Sequence, residues 1–313
     1  MRQLIAPLVS LLILAVLWWQ VDMQALWRAA QATDTRWLAA GILGLAPLVL
    51  AAALRFRLLS RTRISYAVAV RLTLSAATLN LFLPSKLGDL AKGWLLVRRH
   101  GFRPELALAI VVLERLLDLA ALIAWGLAAL LWIGADTPAL LLLTLALAGL
   151  LALLVLLILP LAFSARLLTF LGGRLPGKLG SAVLSFAASW HEVLQWFWSA
   201  PRRAVGTLLF SLALWGGHLV QFWLLARAVG YVPLADSMAF ATLAILAGLL
   251  PFTIAGIGTR DAAIVFFYHA WLTPGQGAVL GVLASLRYVI PAIVGLLFVR
   301  DFWAAARMRE EME

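Results

Sequence analysis

Residues 137–163, TPALLLLTLALAGLLALLVLLILPLAF, contain no charged side chain. About 20 predominantly apolar residues suffice to carry a helix across the ~30 Å hydrocarbon core of a bilayer, so this run alone favours a membrane span. A core helix of a soluble protein would explain one such run, but not several. Stretches 4–21, 37–54, 105–133, 204–226 and 275–299 are likewise long and predominantly apolar. Hydrophobic residues make up 64% of the chain and charged residues 12%, against about half and about a quarter in soluble domains. The predicted fold class is an all-α polytopic membrane protein, a single membrane domain over 1–313 with about six full transmembrane helices.

The first apolar stretch, 4–21, is long and lacks the small-residue cleavage site of a signal peptide, so it reads as a retained span. With no cysteine, disulfides, thiolate metal sites and cysteine nucleophiles are excluded. The net charge of +11 would resemble a nucleic-acid signal only if its placement were ignored. Arg2, the cluster Arg55, Arg57, Arg61 and Arg63, the stretch Lys86 to Arg103, the linker Arg166 to Arg203 and the tail from Arg300 hold nearly all the basic residues. The remaining loops hold only Arg28, Arg36 and Arg227. The positive-inside rule then places both termini in the cytoplasm of an inner-membrane protein, and the excess charge serves orientation and contact with anionic lipid.

Two further apolar regions, 64–97 and 236–272, are interrupted by Pro/Gly-rich polar motifs. Arg63 and Arg98 flank the first of these and both belong to the basic side, so the segment is expected to enter and leave the membrane on one face. The same charge map starts and ends 236–272 on the opposite face. Each region therefore reads as a re-entrant hairpin, within repeats at 37–133 and 204–299 of inverted orientation. In transporters that arrangement places the substrate site near the midplane, where broken helices meet. The segment 164–203, with Trp190, Leu194, Trp196 and Trp198, is expected to be an amphipathic linker at the cytoplasmic interface.

Charges inside spans cost at least about 2.5–3.5 kcal/mol each on insertion scales, so they imply pairing or function. The first hairpin carries Arg71, Asn80, Lys86, Asp89 and Lys92, and the following span carries Glu114, Arg115 and Asp118 in VVLERLLDLA. The second hairpin carries Arg260 and Asp261, and the last span Arg287. Glu114 and Asp118 share a helical face, and Arg115 lies three residues before Asp118. Internal salt bridging accounts for some of these groups, Asp118 with Arg115 first among them. Apolar packing would hold a bundle at lower cost, so a substrate role is expected for others.

The two hairpin motifs share a grammar. LPSKLGD runs through Pro84, Lys86, Gly88 and Asp89, and LPFTIAGIGTRD through Pro251, Gly256, Gly258, Arg260 and Asp261. Proline ends one half-helix, glycine lets the backbone turn, and a basic–acidic pair follows where the next half-helix begins. Exposed N–H groups at such a start, beside Lys or Arg, suit an anion such as a phosphate-bearing headgroup.

At these residues the chain resembles the flippase-like membrane region of lysylphosphatidylglycerol synthetases, the multiple peptide resistance factor family, and its stand-alone relatives. The resemblance rests on NLFLPSKLGDLAKG, ERLLD, LLPFTIAGIGTRDA and SLRYVIPAIVGLL, and covers about residues 37 to 300. Lys86-Leu-Gly-Asp89 and Arg260-Asp261 stand where the family pattern has arginine-x-Gly-Glu and Arg-Glu, which keeps the charges but shortens the acidic side chains. The resemblance implies translocation of a lipid between leaflets, with aminoacylated phosphatidylglycerol or a polyprenyl-phosphate-linked sugar as cargo. The soluble aminoacyl-transferase domain of the synthetases does not follow the last span before Glu313, so the chain is expected to move a lipid rather than make one.

The leading reading is thus a lipid flippase or scramblase. Its candidate substrate-binding residues are Asn80, Lys86, Gly88, Asp89, Glu114, Arg115, Asp118, Gly258, Arg260, Asp261 and Arg287. No GxxxxGK[ST] phosphate loop is present, no cofactor or metal is implied, and the expected partner is an anionic or aminoacylated membrane lipid, not nucleic acid. A homodimer is compatible with this reading. Two alternatives stay open at this point: a membrane transferase using Glu114 and Asp118 as acid and base, and a secondary transporter of a small anion.

Overall fold

The computed structural model describes residues 23–82, 88–134, 137–159, 163–249 and 258–310. The predicted first span 4–21, the motif residues Pro84 and Lys86, and the Pro251–Gly256 part of the second motif lie outside them. Every regular element among the described residues is a helix, and the chain is an all-α polytopic membrane protein. Four helical stretches are long and apolar enough to cross a bilayer: Thr35–Leu59, Pro138–Ile158, Pro201–Val229 and Pro274–Phe298. They coincide with four of the spans expected from the sequence.

The local signals explain the boundaries. α1 covers Met23–Gln31 and α2 covers Thr35–Leu43, whose Asp34 cap accepts a 2.8 Å hydrogen bond from the Arg36 N–H. α3, Leu45–Leu59, continues the same span after a break at Gly44. Pro47 has no N–H to give the Leu43 carbonyl, which accounts for the interruption. α4 (Tyr66–Phe82) and α5 (Gly88–His100) form the first interrupted region, and α6 (Pro104–Ile133) follows. α7 is Pro138–Ile158, and α8 (Phe163–Arg174) and α9 (Gly177–Trp198) make up the linker. α10 (Pro201–Val229), α11 (Leu234–Gly248), α12 (Thr259–Phe267) and α13 (Pro274–Glu310) complete the chain. Pro104, Pro138, Pro201 and Pro274 each open a helix, where a missing N–H costs nothing.

The linker is two packed helices rather than one surface helix. Its tryptophans face protein: Trp190 is buried and donates to Ser164 Oγ at 2.8 Å, and Trp198 donates to the Ile158 carbonyl at 2.7 Å. Val193, Leu194 and Phe197 join Trp190 in one core with α3, α4, α5 and the N-terminal half of α6. A second core, formed by α10 to α13, takes in Leu122 of α6. α6 therefore runs from one core into the other. α7 leaves Leu141, Leu142, Leu145 and Leu153 exposed, the surface a lipid-facing helix presents.

α4 and α11, at 17 and 15 residues, are about 25 and 22 Å long at 1.5 Å per residue, shorter than the ~30 Å hydrocarbon layer. α4 packs on α5 and on α13, while α11 packs on α12 and on α6. Both long-helix crossings are built on a glycine. A Cβ at Gly295 of α13 would overlap the Leu74 carbonyl and Thr78 hydroxyl of α4; one at Gly126 of α6 would lie 2.7 Å from Leu246 Cδ1 of α11 and 3.8 Å from Thr242. Thr78 also donates to the Ala292 carbonyl at 2.7 Å, which ties α4 to the backbone of α13.

Candidate functional site

The Glu114–Asp118 face of α6 meets α3 and α5 in one buried ionic network. Asp118 Oδ1 accepts from Arg55 Nη2 at 2.6 Å and from Trp215 Nε1 at 3.1 Å. Glu114 Oε2 accepts from Lys92 Nζ at 2.7 Å, and its Oε1 lies 3.9 Å from Arg55 Nη2. Arg115 reaches Asp118 at 3.1 Å, Glu114 at 3.3 Å and Asp89 at 3.3 Å. Asp89 is 3.7 Å from Lys92 and accepts from Asn80 Nδ2 at 3.3 Å, which ties α5 to α4. Gly88 permits that approach: a Cβ there would lie 2.6 Å from the Ala76 carbonyl and the Asn80 N–H nitrogen.

The members differ in access. Arg55, Lys92 and Glu114 are 2% exposed, whereas 37% of the Arg115 side chain is exposed. Arg115 is the open side of an otherwise sealed cluster. Arg55 Nη1 donates to Ser211 of α10 at 3.1 Å, and the Lys92 ammonium lies 4.6 Å from the centre of the Phe56 ring. These contacts supply polar and π partners for cations that would otherwise be stranded in a low-dielectric interior.

The second constellation sits where α12 begins. Gly258 has φ 104°, a left-handed value suited to glycine, and donates its N–H to Asp261 Oδ2 at 3.1 Å. Arg260 donates to Asp261 Oδ1 through Nε at 3.0 Å and Nη2 at 2.6 Å. Its Nη2 also reaches Ser285 Oγ at 2.8 Å and the Gly281 carbonyl at 3.2 Å on α13. Arg260 is 2% exposed, yet its Nη1 has no hydrogen-bond partner among the described residues. Arg287, two residues beyond Ser285, lays its guanidinium 5.5 Å from the centre of the Phe222 ring of α10. Phe222 in turn stacks on Tyr268, whose hydroxyl donates to the Ser237 carbonyl at 2.9 Å.

α10 touches both constellations, with Trp215 on the first and Phe222 near the second. Seven residues of helix separate them, about 10 Å. Asn80, Gly88, Asp89, Glu114, Arg115 and Asp118 thus come together, as do Gly258, Arg260 and Asp261, with Arg287 on the adjoining helix. Lys86 is outside the described residues.

Arg55 is the residue that sequence reasoning misplaced. Counted with the basic cluster Arg57, Arg61 and Arg63, it is instead the most buried cation of the network. Helical spacing puts Arg55 on the face of Leu59, which the fold buries, but the sequence does not distinguish that face from the equally apolar one of Leu54 and Leu58, which is exposed. Ser211, Trp215 and Ser285 were missed because single polar residues in spans carry no motif. Gln221 donates to the Gly41 carbonyl at 2.8 Å and so joins α10 to α2, while His218 tilts against the Trp215 ring at 5.6 Å.

A profile of the family described as the lysylphosphatidylglycerol synthase TM region matches residues 3–295. The chain belongs to this family. Both constellations lie inside the matched range, and membership of this family implies a membrane-lipid-related function for the chain. No curated protein matched the chain.

Proposed function

We propose that this lysylphosphatidylglycerol synthase TM region moves a phosphate-bearing lipid between leaflets, as a flippase or scramblase. The observation that carries the reading is the ionic network: three cations and three carboxylates from three helices, placed in an apolar bundle and opened on one side by Arg115. Each such charge costs at least about 2.5–3.5 kcal/mol to insert, and apolar packing would join the helices at lower cost. Lys86, Arg115, Arg260 and Arg287 are the proposed phosphate contacts, with Asp89, Glu114 and Asp261 available to a cationic headgroup group.

The architecture is proposed to be an inverted repeat with α4–α5 and α11–α12 as re-entrant hairpins. Two things support it: the shortness of α4 and α11, and the crossed pairing in which each first arm meets a glycine on the long helix of the other half. Cytoplasmic termini in an inner membrane follow from the distribution of Lys and Arg, and a homodimer is compatible with it. The transferase reading is disfavoured by the same pairs. Glu114 is held against Lys92 and Asp118 against Arg55, so neither carboxylate is placed to shuttle a proton to substrate.

The test is a leaflet-accessibility assay in proteoliposomes containing fluorescent anionic and aminoacylated lipids. Wild type is expected to exchange the labelled lipid between leaflets at least tenfold faster than Arg260→Ala. Equal and slow exchange for both proteins across the lipid panel would sink the proposal.

A further inference from the structure

α8 turns a second apolar face outward, and we propose that this face is seated in the leaflet reached by the C-terminal end of α7. The helix lies in the membrane plane, with Phe163, Leu167, Phe170 and Leu171 dipped among the acyl chains. This seating is independent of whether a lipid is translocated.

At 3.6 residues per turn the side chains of α8 fall into three sectors. Ser164, Ala165 and Gly172 are buried, and Leu168 packs on the first core beside them. Gly172 lets α9 come close on this side, since a Cβ there would lie 3.0 Å from Leu184 Cδ2. Phe163, Leu167, Phe170 and Leu171, at i, i+4, i+7 and i+8, form the second sector and are 41–52% exposed. Arg166, Thr169 and Gly173, at i, i+3 and i+7, form the third, which is exposed and carries no large apolar side chain. A helix packed on a core in water needs one apolar stripe; α8 has two, on different sides. Leu175 and Leu179, at the turn into α9, are exposed as well.

The place of α8 in the chain says what covers the second stripe. α7, at 21 residues, is about 31 Å long and crosses the ~30 Å hydrocarbon layer from end to end, so its last turn stops at headgroup level. Ser164 Oγ donates to the Leu157 carbonyl at 3.0 Å, so α8 begins within a hydrogen bond of that boundary. Leu153 and Val155, in the last turns of α7, are exposed to lipid on the same side of the boundary as the rest of the span. A helix leaving for water would hold four large apolar side chains in solvent over about 12 Å of its length. A helix turning back into the hydrocarbon would carry Arg166 and Arg174 with it. Lying in the interface buries the stripe and keeps the cations wet. The charge agrees: residues 163–191 contain no acidic side chain, while Arg166, Arg174 and Lys178 are all exposed, the sign that suits lipid phosphates. The Arg174 guanidinium lies 3.7 Å from the centre of the Phe170 ring, so a cation sits on the apolar stripe itself, as a snorkelling arginine does at headgroup level. The linker tryptophans have no part in this face, since Trp190 and Trp198 bond inward.

The chain has no cysteine, so single thiols can be placed without background. Full-length Leu167→Cys, Phe170→Cys, Thr169→Cys and Leu145→Cys, each carrying a thiol-reactive fluorophore, are reconstituted into nanodiscs of phosphatidylcholine and phosphatidylglycerol. All four sites are exposed, so the thermal midpoints are expected to stay near wild type. The quenchers are phospholipids bearing a nitroxide near the top of the acyl chain or near its middle, and iodide in the water. Labels at Leu167 and Phe170 are expected to be quenched at least threefold more by the shallow nitroxide than by the deep one, and to be protected from iodide at least threefold relative to the label at Thr169. The label at Leu145, within the α7 span, is expected to favour the deep nitroxide. Three results would overturn the proposal. Iodide reaching Leu167 and Phe170 as freely as Thr169 puts the stripe in water. Preference of both sites for the deep nitroxide makes α8 a membrane-inserted helix instead. Shielding of both sites from all three quenchers means that protein, such as a second copy of the chain, covers the stripe.

Discussion

Replacing Arg55 by Gln should destabilise the protein by leaving a buried acid short of a cation. Arg55 is 2% exposed and donates at 2.6 Å to Asp118. Its loss leaves two cations against three carboxylates inside the bundle. Breaking a buried pair by removing one partner costs about 3–5 kcal/mol, because the remaining charge is stranded. Asp118 keeps Arg115 at 3.1 Å and the Trp215 N–H at 3.1 Å, which places the expected loss at the low end, about 3 kcal/mol. At ~2–4 °C per kcal/mol for a sizeable domain, the midpoint should fall by roughly 6–12 °C. Intrinsic tryptophan fluorescence on heating, in detergent, reads the change. The double variant Arg55→Gln with Asp118→Asn restores the charge balance and is expected to recover more than half of the loss, a coupling of about 1.5 kcal/mol or more. A double variant as unstable as the sum of its singles would refute the pairing argument.

The helix crossings give a second comparison: Gly295→Val should abolish folded protein, since its Cβ would meet α4 backbone, as read by monodispersity on size exclusion. Gly126→Ala should cost about 1–3 kcal/mol, because the atom it meets is the movable end of Leu246. Thr78→Val should cost about 0.5–1.5 kcal/mol in thermal or denaturant unfolding through loss of its bond to the Ala292 carbonyl. On the linker, burial raises the Glu192 carboxyl, but Arg61 and Arg103 outweigh it and hold the group below its ordinary 4.5. Its stabilisation is therefore complete above about pH 4.5 and lost as pH falls through the lower folded value, so an acid titration of the midpoint should be shallower in Glu192→Gln.

Much of the fold was legible because membrane solvent imposes a simple rule on sequence. Residues 138–158 can be assigned by apolar length alone, and Pro104, Pro138, Pro201 and Pro274 mark helix starts by backbone chemistry that needs no tertiary context. The linker was less legible. Trp190, Trp196 and Trp198 suit either a headgroup interface or a protein core, and periodicity cannot distinguish those two environments. What decides for the core is Ser164 and the Ile158 carbonyl, which sit far away in sequence and offer the indole N–H groups acceptors inside the fold.

The site divides along the same line. Asp118 with Arg115 follows from helical spacing, and the Arg260–Asp261 contact from adjacency, so local sequence suffices for both. Lys92 meets Asp89 on its own helix by i,i+3 spacing, but Arg55–Asp118 and Lys92–Glu114 form only when α3 and α5 pack on α6, and no local rule specifies those pairings. A basic residue near a predicted span end carries two incompatible meanings: it snorkels to the headgroups, or it turns inward to an acid on another helix. For Arg55 the burial of Leu59 one turn later resolves the choice in favour of the interior. Arg57, two residues on and half-buried, instead donates to the Ile64 carbonyl at 3.3 Å near the chain reversal. Charge counts along a membrane sequence therefore overstate orientation signals by the cations that fold inward, and those are the cations that balance buried acids.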